Sequence, residues 1–203
     1  MNDLYAAVIH DVKNQLAELA LRLERRADAQ QEAELALSAA RRLSGMLLAH
    51  REASGLLQAN ADAASPADML AILAAEYREL FPALAIEIDA GRAPACAFFD
   101  DALVRLALAN ALHNACRHAR LQVRLAAYEG EGMLVFEVSD DGAGFPDSVL
   151  TAMAESPSAP SGSGTGLGLY LARKIAGLHQ LQGRHGTIEL SNSPGGYFRM
   201  LLP

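Results

Sequence analysis

The chain has 203 residues, is 51% hydrophobic and carries a formal charge of −7. That is enough apolar material for one ordinary core plus a helical appendage, while the acidic balance argues against a nucleic-acid partner, which needs a concentrated basic face. No run approaches the roughly 18 to 20 apolar residues that span a bilayer, and Asp3, His10 and Asp11 interrupt the N-terminal stretch that a secretory signal would keep apolar, so a cytoplasmic location without membrane insertion is expected.

Over residues 2–26, Leu4, Val8, Val12, Leu16, Leu19 and Leu23 recur at three- and four-residue spacing, the pattern of one helix face. A second helical pattern covers residues 30–57, with Ala36, Ala40, Leu43, Leu47 and Leu57 as its stripe, and the joint at 26–29 is short. The pair reads as an antiparallel helical hairpin. Two helices bury too little by themselves, so dimerisation into a four-helix bundle completes the expectation. The small, polar stretch ANADAASP, residues 59–66, separates this part (1–60) from the rest (61–203).

Ser65 as N-cap and Pro66 at the first helical position predict a helix over 66–80. Strands follow at 84–89 and 96–99, then a helix capped by Asp100 or Asp101 and running to about His118. Alternating runs at 121–128 and 133–139 flank EGEG and predict a hairpin. The stretch 146–161, rich in Gly, Ser and Pro, is expected to be a loop, followed by a helix over 166–179 and strands at 187–191 and 197–202. Helices grouped with a largely antiparallel sheet define an α+β sandwich. Cys96 and Cys116 lack CxxC or Cys/His spacing, and both are expected to be buried reduced thiols.

Three stretches of the second part carry chemistry. SDDGAGF, 139–145, follows a strand: its glycines permit conformations and close approaches that side chains block, and the carboxylate of Asp140 can accept from an exocyclic amine, which distinguishes adenine from guanine. Read plainly, it is a strand-ending turn. GSGTGLGL, 162–169, enters a helix and can aim backbone N–H groups at a polyphosphate; it is also readable as a lid with no ligand. In NALHNACRHA, 110–119, Asn110, Asn114, Arg117 and His118 share one side of a helix. Two amide oxygens can hold a hydrated Mg²⁺ carrying nucleotide phosphates, and Arg117 can neutralise a phosphate oxygen. The plain alternative is solvated helix surface, although two mid-helix asparagines one turn apart call for a reason.

Together these stretches resemble, in order and approximate spacing, the N, G1 and G2 boxes of the histidine-kinase ATP-binding domain, within the gyrase/Hsp90/histidine-kinase/MutL superfamily. The resemblance implies ATP and Mg²⁺ as cofactors. It assigns the adenine amine to Asp140, the metal to Asn110 and Asn114, and a nucleotide-lining position to Arg117 and His118. Gly142 and Gly144 would shape the base pocket, while Gly164, Thr165, Gly166, Leu167 and Gly168 would form the phosphate lid and its hinges.

In the first part, IHDVKNQL places His10 nearly opposite the apolar stripe at about 100° per residue, so its ring should face solvent. A nucleophilic histidine needs that exposure, and Asp11 can orient the ring or take its proton. The hairpin resembles the dimerisation and phosphoacceptor domain of sensor histidine kinases, with HDVKN as the H-box, where Asn14 would support removal of phosphate from a response regulator. The departures are a missing proline after the H-box, a short lid without an F box, and an extra stretch at 180–184. The implied protein is a homodimeric histidine kinase core that phosphorylates His10 from Mg·ATP and passes the phosphoryl group to a response-regulator receiver domain. It would take its signal from a separate sensor protein or a sensor region outside these residues. A degenerate docking or phosphotransfer module without ATP turnover is the first alternative; a serine/threonine kinase of the anti-sigma type, which needs no phosphoacceptor hairpin, is the second.

Overall fold

The structure is a computed structural model that describes residues 58–155 and 166–203, together with Leu16, Leu19, Glu32, Ala36, Ala39 and Leu43. The chain divides into two compact units, Met1–Leu57 and Gln58–Pro203. In the first unit the six described positions are all helical; Ala36 is buried, Leu16 and Leu43 are half-buried, and Leu19 is 46% exposed. His10, Asp11 and Asn14 lie outside the described residues, as do Gly164 and Thr165 of the glycine-rich stretch.

The second unit is a five-stranded sheet covered on one face by helices. Helix α1, Pro66–Leu80, starts where Ser65 Oγ accepts from the Asp68 N–H at 3.2 Å, with Pro66 needing no N–H partner. Helix α2, Asp101–His118, is capped by Asp100, whose Oδ1 accepts from the Leu103 N–H at 2.9 Å. The residues before α2 form three strands: β1 (Asp62–Ala64), β2 (Ala85–Arg92) and β3 (Ala97–Phe99). After it come β4 (Gln122–Gly130) and β5 (Met133–Asp140), joined by Glu131 and Gly132 at φ 55° and 70°. Two successive positive φ values are what a two-residue hairpin turn of the primed type requires. Helices α3 (Asp147–Glu155) and α4 (Gly166–Leu178) precede the short hairpin β6 (Gln180–Leu181) and β7 (Arg184–His185), and the chain closes on β8 (Thr187–Asn192) and β9 (Gly196–Leu202).

The sheet order is β2-β4-β5-β9-β8, with β2 parallel to β4 and the other pairs antiparallel. On β9, Gly196, Phe198, Met200 and Leu202 are buried while Tyr197, Arg199 and Leu201 are half-buried, the period-two signature of one covered face. That covered face meets Leu70 and Leu73 of α1, Leu108 and Leu112 of α2 and Ile175 of α4, all fully buried. The other face carries charge. Across the five strands in order stand Asp89, Arg124, Glu137, Arg199 and Glu189: Arg124 pairs with Asp89 and lies 3.7 Å from Glu137, and Arg199 lies 3.0 Å from Glu137 and 3.9 Å from Glu189. Glu137 is almost fully buried between its two arginines, which supply the compensation a buried carboxylate needs.

Several expectations are corrected. The loop expected at 146–161 contains α3, whose apolar Val149, Leu150 and Met153 have helical spacing that the surrounding Pro, Ser and Gly obscure. The linker stretch contains β1, which pairs with β3. The extra stretch at 180–184 belongs to the β6–β7 hairpin, turning at Gln182 and Gly183 with φ 51° and 80°, and Arg184 donates from it to the carbonyls of Glu131 and Gly132. Cys96 is exposed and precedes its strand; only Cys116 is buried.

The start of α2 is tied to the end of α4. The Asp100 N–H donates to His179 Nε2 at 3.0 Å, so the ring proton sits on Nδ1, which donates to the Ile175 carbonyl at 2.8 Å. The Asp100 carboxylate also accepts from the Asn60 N–H at 2.9 Å. His179→Leu keeps the volume but leaves a buried N–H and a buried carbonyl without these partners. It should cost about 2 kcal/mol, read as a lower denaturant midpoint at unchanged slope.

Candidate functional site

Helix α2 presents its core face to the sheet and leaves one side open to a cleft of about 330 Å³. Ala111, Asn114, Ala115 and His118 form that wall. The floor comes from the sheet, as Val138, Asp140, Gly196 and Phe198, and the far wall from Phe145, Pro146, Val149 and Leu169. The predicted residues separate accordingly. Asn114, His118, Asp140 and Gly144 line the cleft; Arg117 is exposed at the end of α2 and Asn110 is half-buried one turn before Asn114, neither among the lining residues. Asn110 sits beside α4: a Cβ built on Gly168 would lie 3.7 Å from the Asn110 Cβ, an ordinary contact, so space alone does not demand glycine at 168. Gly166 and Leu167 open α4.

The two acids of SDDGAGF do different work. Asp140, at the end of β5, takes the Gly142 N–H on Oδ1 at 2.8 Å and the Gly196 N–H on the same oxygen at 3.3 Å, and it is half-buried at the cleft floor. Asp141 turns away and accepts from the N–H groups of Arg120, Leu121 and Gln122 at 2.7, 3.0 and 3.3 Å, tying the loop to the connection between α2 and β4. Partial burial works against its charge, but the N–H groups of Leu121, Arg120 and Gln122 outweigh that and hold its carboxyl below the usual range.

The glycines owe their place to protein packing as much as to ligand access. A Cβ on Gly142 would overlap the His118 carbonyl, and Gly144 has φ +81° with Asn192 only 2.6 Å from where its Cβ would be. Tight loop packing is thus a reason for glycine at both positions, alongside the close ligand approach expected of them. Opposite them, a Cβ on Gly195 would overlap the Asp140 carbonyl, and one on Gly196 would stand 2.7 Å from Asp140 Oδ2. The β8–β9 turn therefore forms half of the loop's seat. Sequence reasoning missed it, although the run SNSPGG between two strands was a usable signal.

Residues 99–203 match the family described as histidine kinase-, DNA gyrase B-, and HSP90-like ATPase. The chain belongs to that family, and its second unit has the fold of a sensor histidine kinase ATP-binding core. The signal transduction histidine-protein kinase AfsQ2 of Streptomyces coelicolor is 32% identical over 126 residues, 59% of this chain and 22% of that protein. The sensor-type histidine kinase PrrB of Mycobacterium tuberculosis is 32% identical over 140 residues, 66% of this chain and 30% of that one. The chain thus spans between about a fifth and a third of the curated relatives it matches. Among solved structures, the ATP binding domain of PrrB from M. tuberculosis superposes with a TM-score of 0.56 at 26% identity, over 71% of this chain and 97% of that one. Full-length ShkA in complex with AMPPNP gives 0.67 at 18% identity, over 100% of this chain and 46% of that one, a likeness of fold. Among the described residues no helix is long and apolar enough to cross a membrane.

Because the folded state lowers the Asp141 pKa, its carboxylate contributes stability that is fully present above the ordinary value of 3.8 and is lost as pH falls through the lower folded value. Asp141→Asn should therefore melt below wild type at neutral pH. The gap should begin to narrow as pH falls past the ordinary value of 3.8 and close only below the lower folded value, when both proteins carry an uncharged group there; a gap independent of pH would rule out the charge as its origin.

Proposed function

We propose that the second unit binds Mg·ATP in the α2–β5 cleft and that the chain is a histidine kinase core. The single observation that carries the reading is Asp140. It stands on the floor of an otherwise mostly apolar cleft of a size that takes a purine, with one oxygen already held by main-chain N–H groups and the other accepting from no donor among the described residues. The exocyclic amine of adenine would donate to that second oxygen, with the base between Phe145, Val138 and the alanines of α2. Asn114 and Asn110 offer neutral oxygens for Mg²⁺, which when bound screens the charge of the phosphates. Arg117 and His118, at the open end of α2, are suited to the phosphate side or the ribose.

In the same reading the first unit is the dimerisation and phosphoacceptor domain of residues 1–60, and His10 attacks the γ-phosphorus. The bond from phosphorus to the bridging oxygen of ADP breaks as the N–P bond forms, and the ring nitrogen's proton passes to Asp11. The phosphoramidate is then spent on an aspartate of a response regulator, and Asn14 supports later removal of phosphate from that regulator. Support comes from the family match and from relatives that are named sensor kinases.

The test is incubation of the full chain with γ-labelled ATP. Acid-labile, base-stable label should appear on wild type and be absent from His10→Gln, while His10→Gln still binds a fluorescent ATP analogue. Asp140→Asn should weaken that binding by at least about tenfold, the cost of one lost charged hydrogen bond, with the fold retained. Label that persists on His10→Gln sinks the phosphoacceptor assignment; unchanged affinity in Asp140→Asn sinks the base pocket.

A further inference from the structure

The side chain of Asn192 lies outside every motif so far assigned. It is exposed, at the end of β8, and 47 residues from its partner. Its Oδ1 accepts from the Phe145 N–H at 2.8 Å and its Nδ2 donates to the Phe145 carbonyl at 2.9 Å. Both main-chain groups of one loop residue are thus held by one amide. An exposed asparagine is ordinarily solvated, and fixing it costs side-chain entropy, so a two-point grip of this geometry has a specific effect on what it holds.

What it holds is the far wall of the cleft. Between Asp140 and Phe145 the loop reads Asp-Gly-Ala-Gly, a permissive backbone, and Gly144 sits at φ +81° directly beneath the Asn192 amide. Asp140 anchors one end of that loop through Gly142 and Gly196. At the other end the Pro146 carbonyl accepts from the Val149 and Leu150 N–H groups at the start of α3, and the Phe145 main chain itself has, among the described hydrogen bonds, only those to Asn192. A loop this free would otherwise sample many conformers, and a ligand that needs one of them would meet the ordering cost at binding.

We propose that Asn192 is a positioning residue of the nucleotide site: its amide presets the loop from Asp140 to Phe145, so that the wall formed by Phe145 stands in its binding conformation before nucleotide arrives. Asn192 touches no ligand in this account and acts only through the Phe145 main chain. The inference rests on the nucleotide reading of the cleft, and the experiment separates the two.

A fluorescent ATP analogue is titrated into the full chain as wild type, Asn192→Ala, Asn192→Asp and Asp140→Asn, well below each melting temperature, with melting recorded in parallel. Asn192→Ala loses both bonds and should bind about tenfold more weakly, with only a small change in melting. Asn192→Asp keeps the acceptor for the Phe145 N–H but faces the Phe145 carbonyl with oxygen; it should fall between the two, measured at high salt so that its added charge is screened. If wild type binds, Asp140→Asn does not, and Asn192→Ala binds within about twofold of wild type, the positioning role is overturned while the nucleotide reading stands. A fall in melting temperature at unchanged affinity overturns it equally, as a purely structural role. Should Asn192→Ala not fold, Asn192→Asp decides alone, and wild-type affinity there overturns the proposal. Wild type that fails to bind overturns both.

Discussion

Two main-chain N–H groups, from Gly142 and Gly196, converge on a single oxygen of Asp140, and this convergence requires two loops to approach each other with no Cβ between them. The loop after β5 and the turn before β9 meet at Gly142, Gly195 and Gly196, where a side chain would run into the Asp140 main chain, the Asp140 carboxylate or the His118 carbonyl. The cost of assembling so much glycine is entropy, roughly 0.5 to 1 kcal/mol per residue against alanine. What the molecule obtains is a carboxylate whose position is set by backbone, one of the least mobile donors a protein has. The cleft is therefore organised from its floor upward.

Helix α2 serves the core and the cleft at once. Leu108 and Leu112 are fully buried on one side, while Asn114 and His118 face the cleft from the other. Its start is fixed by Asp100, which also holds the Asn60 N–H and, through its own N–H, His179 at the end of α4. The helix that carries the asparagines and the helix that follows the glycine-rich stretch are thereby linked by one neutral imidazole, in addition to their apolar contact.

How much of this could be read from the residues depended on how local the cause was. Ser65-Pro66 and Asp100 announced α1 and α2 because a cap is chosen within four residues, and EGEG announced its turn because two positive φ values need such residues. Asp140, Asn114, His118 and Gly144 were legible as a group from motif resemblance, and the cleft they line brings them together. Illegible were causes that act across the chain. Nothing near residue 141 says that its carboxylate turns to Arg120–Gln122 while its neighbour faces the cleft; that depends on where α2 ends. The parallel pairing of β2 with β4 is set by α2 crossing between them, and α3 was hidden by composition at its borders. Asn192 was invisible because its partner is 47 residues away.

The file of charges across the open face of the sheet behaves as a code that can only be rewritten in pairs. Asp89, Arg124, Glu137, Arg199 and Glu189 alternate in sign over five adjacent strands. Reversing one inner member sets it against like charge on both sides, whereas exchanging two adjacent members keeps their own pair and spoils only the outer contacts. A strand slipped by one residue would turn its charge into the apolar layer, so the same five side chains also act as a checksum on how the strands are paired.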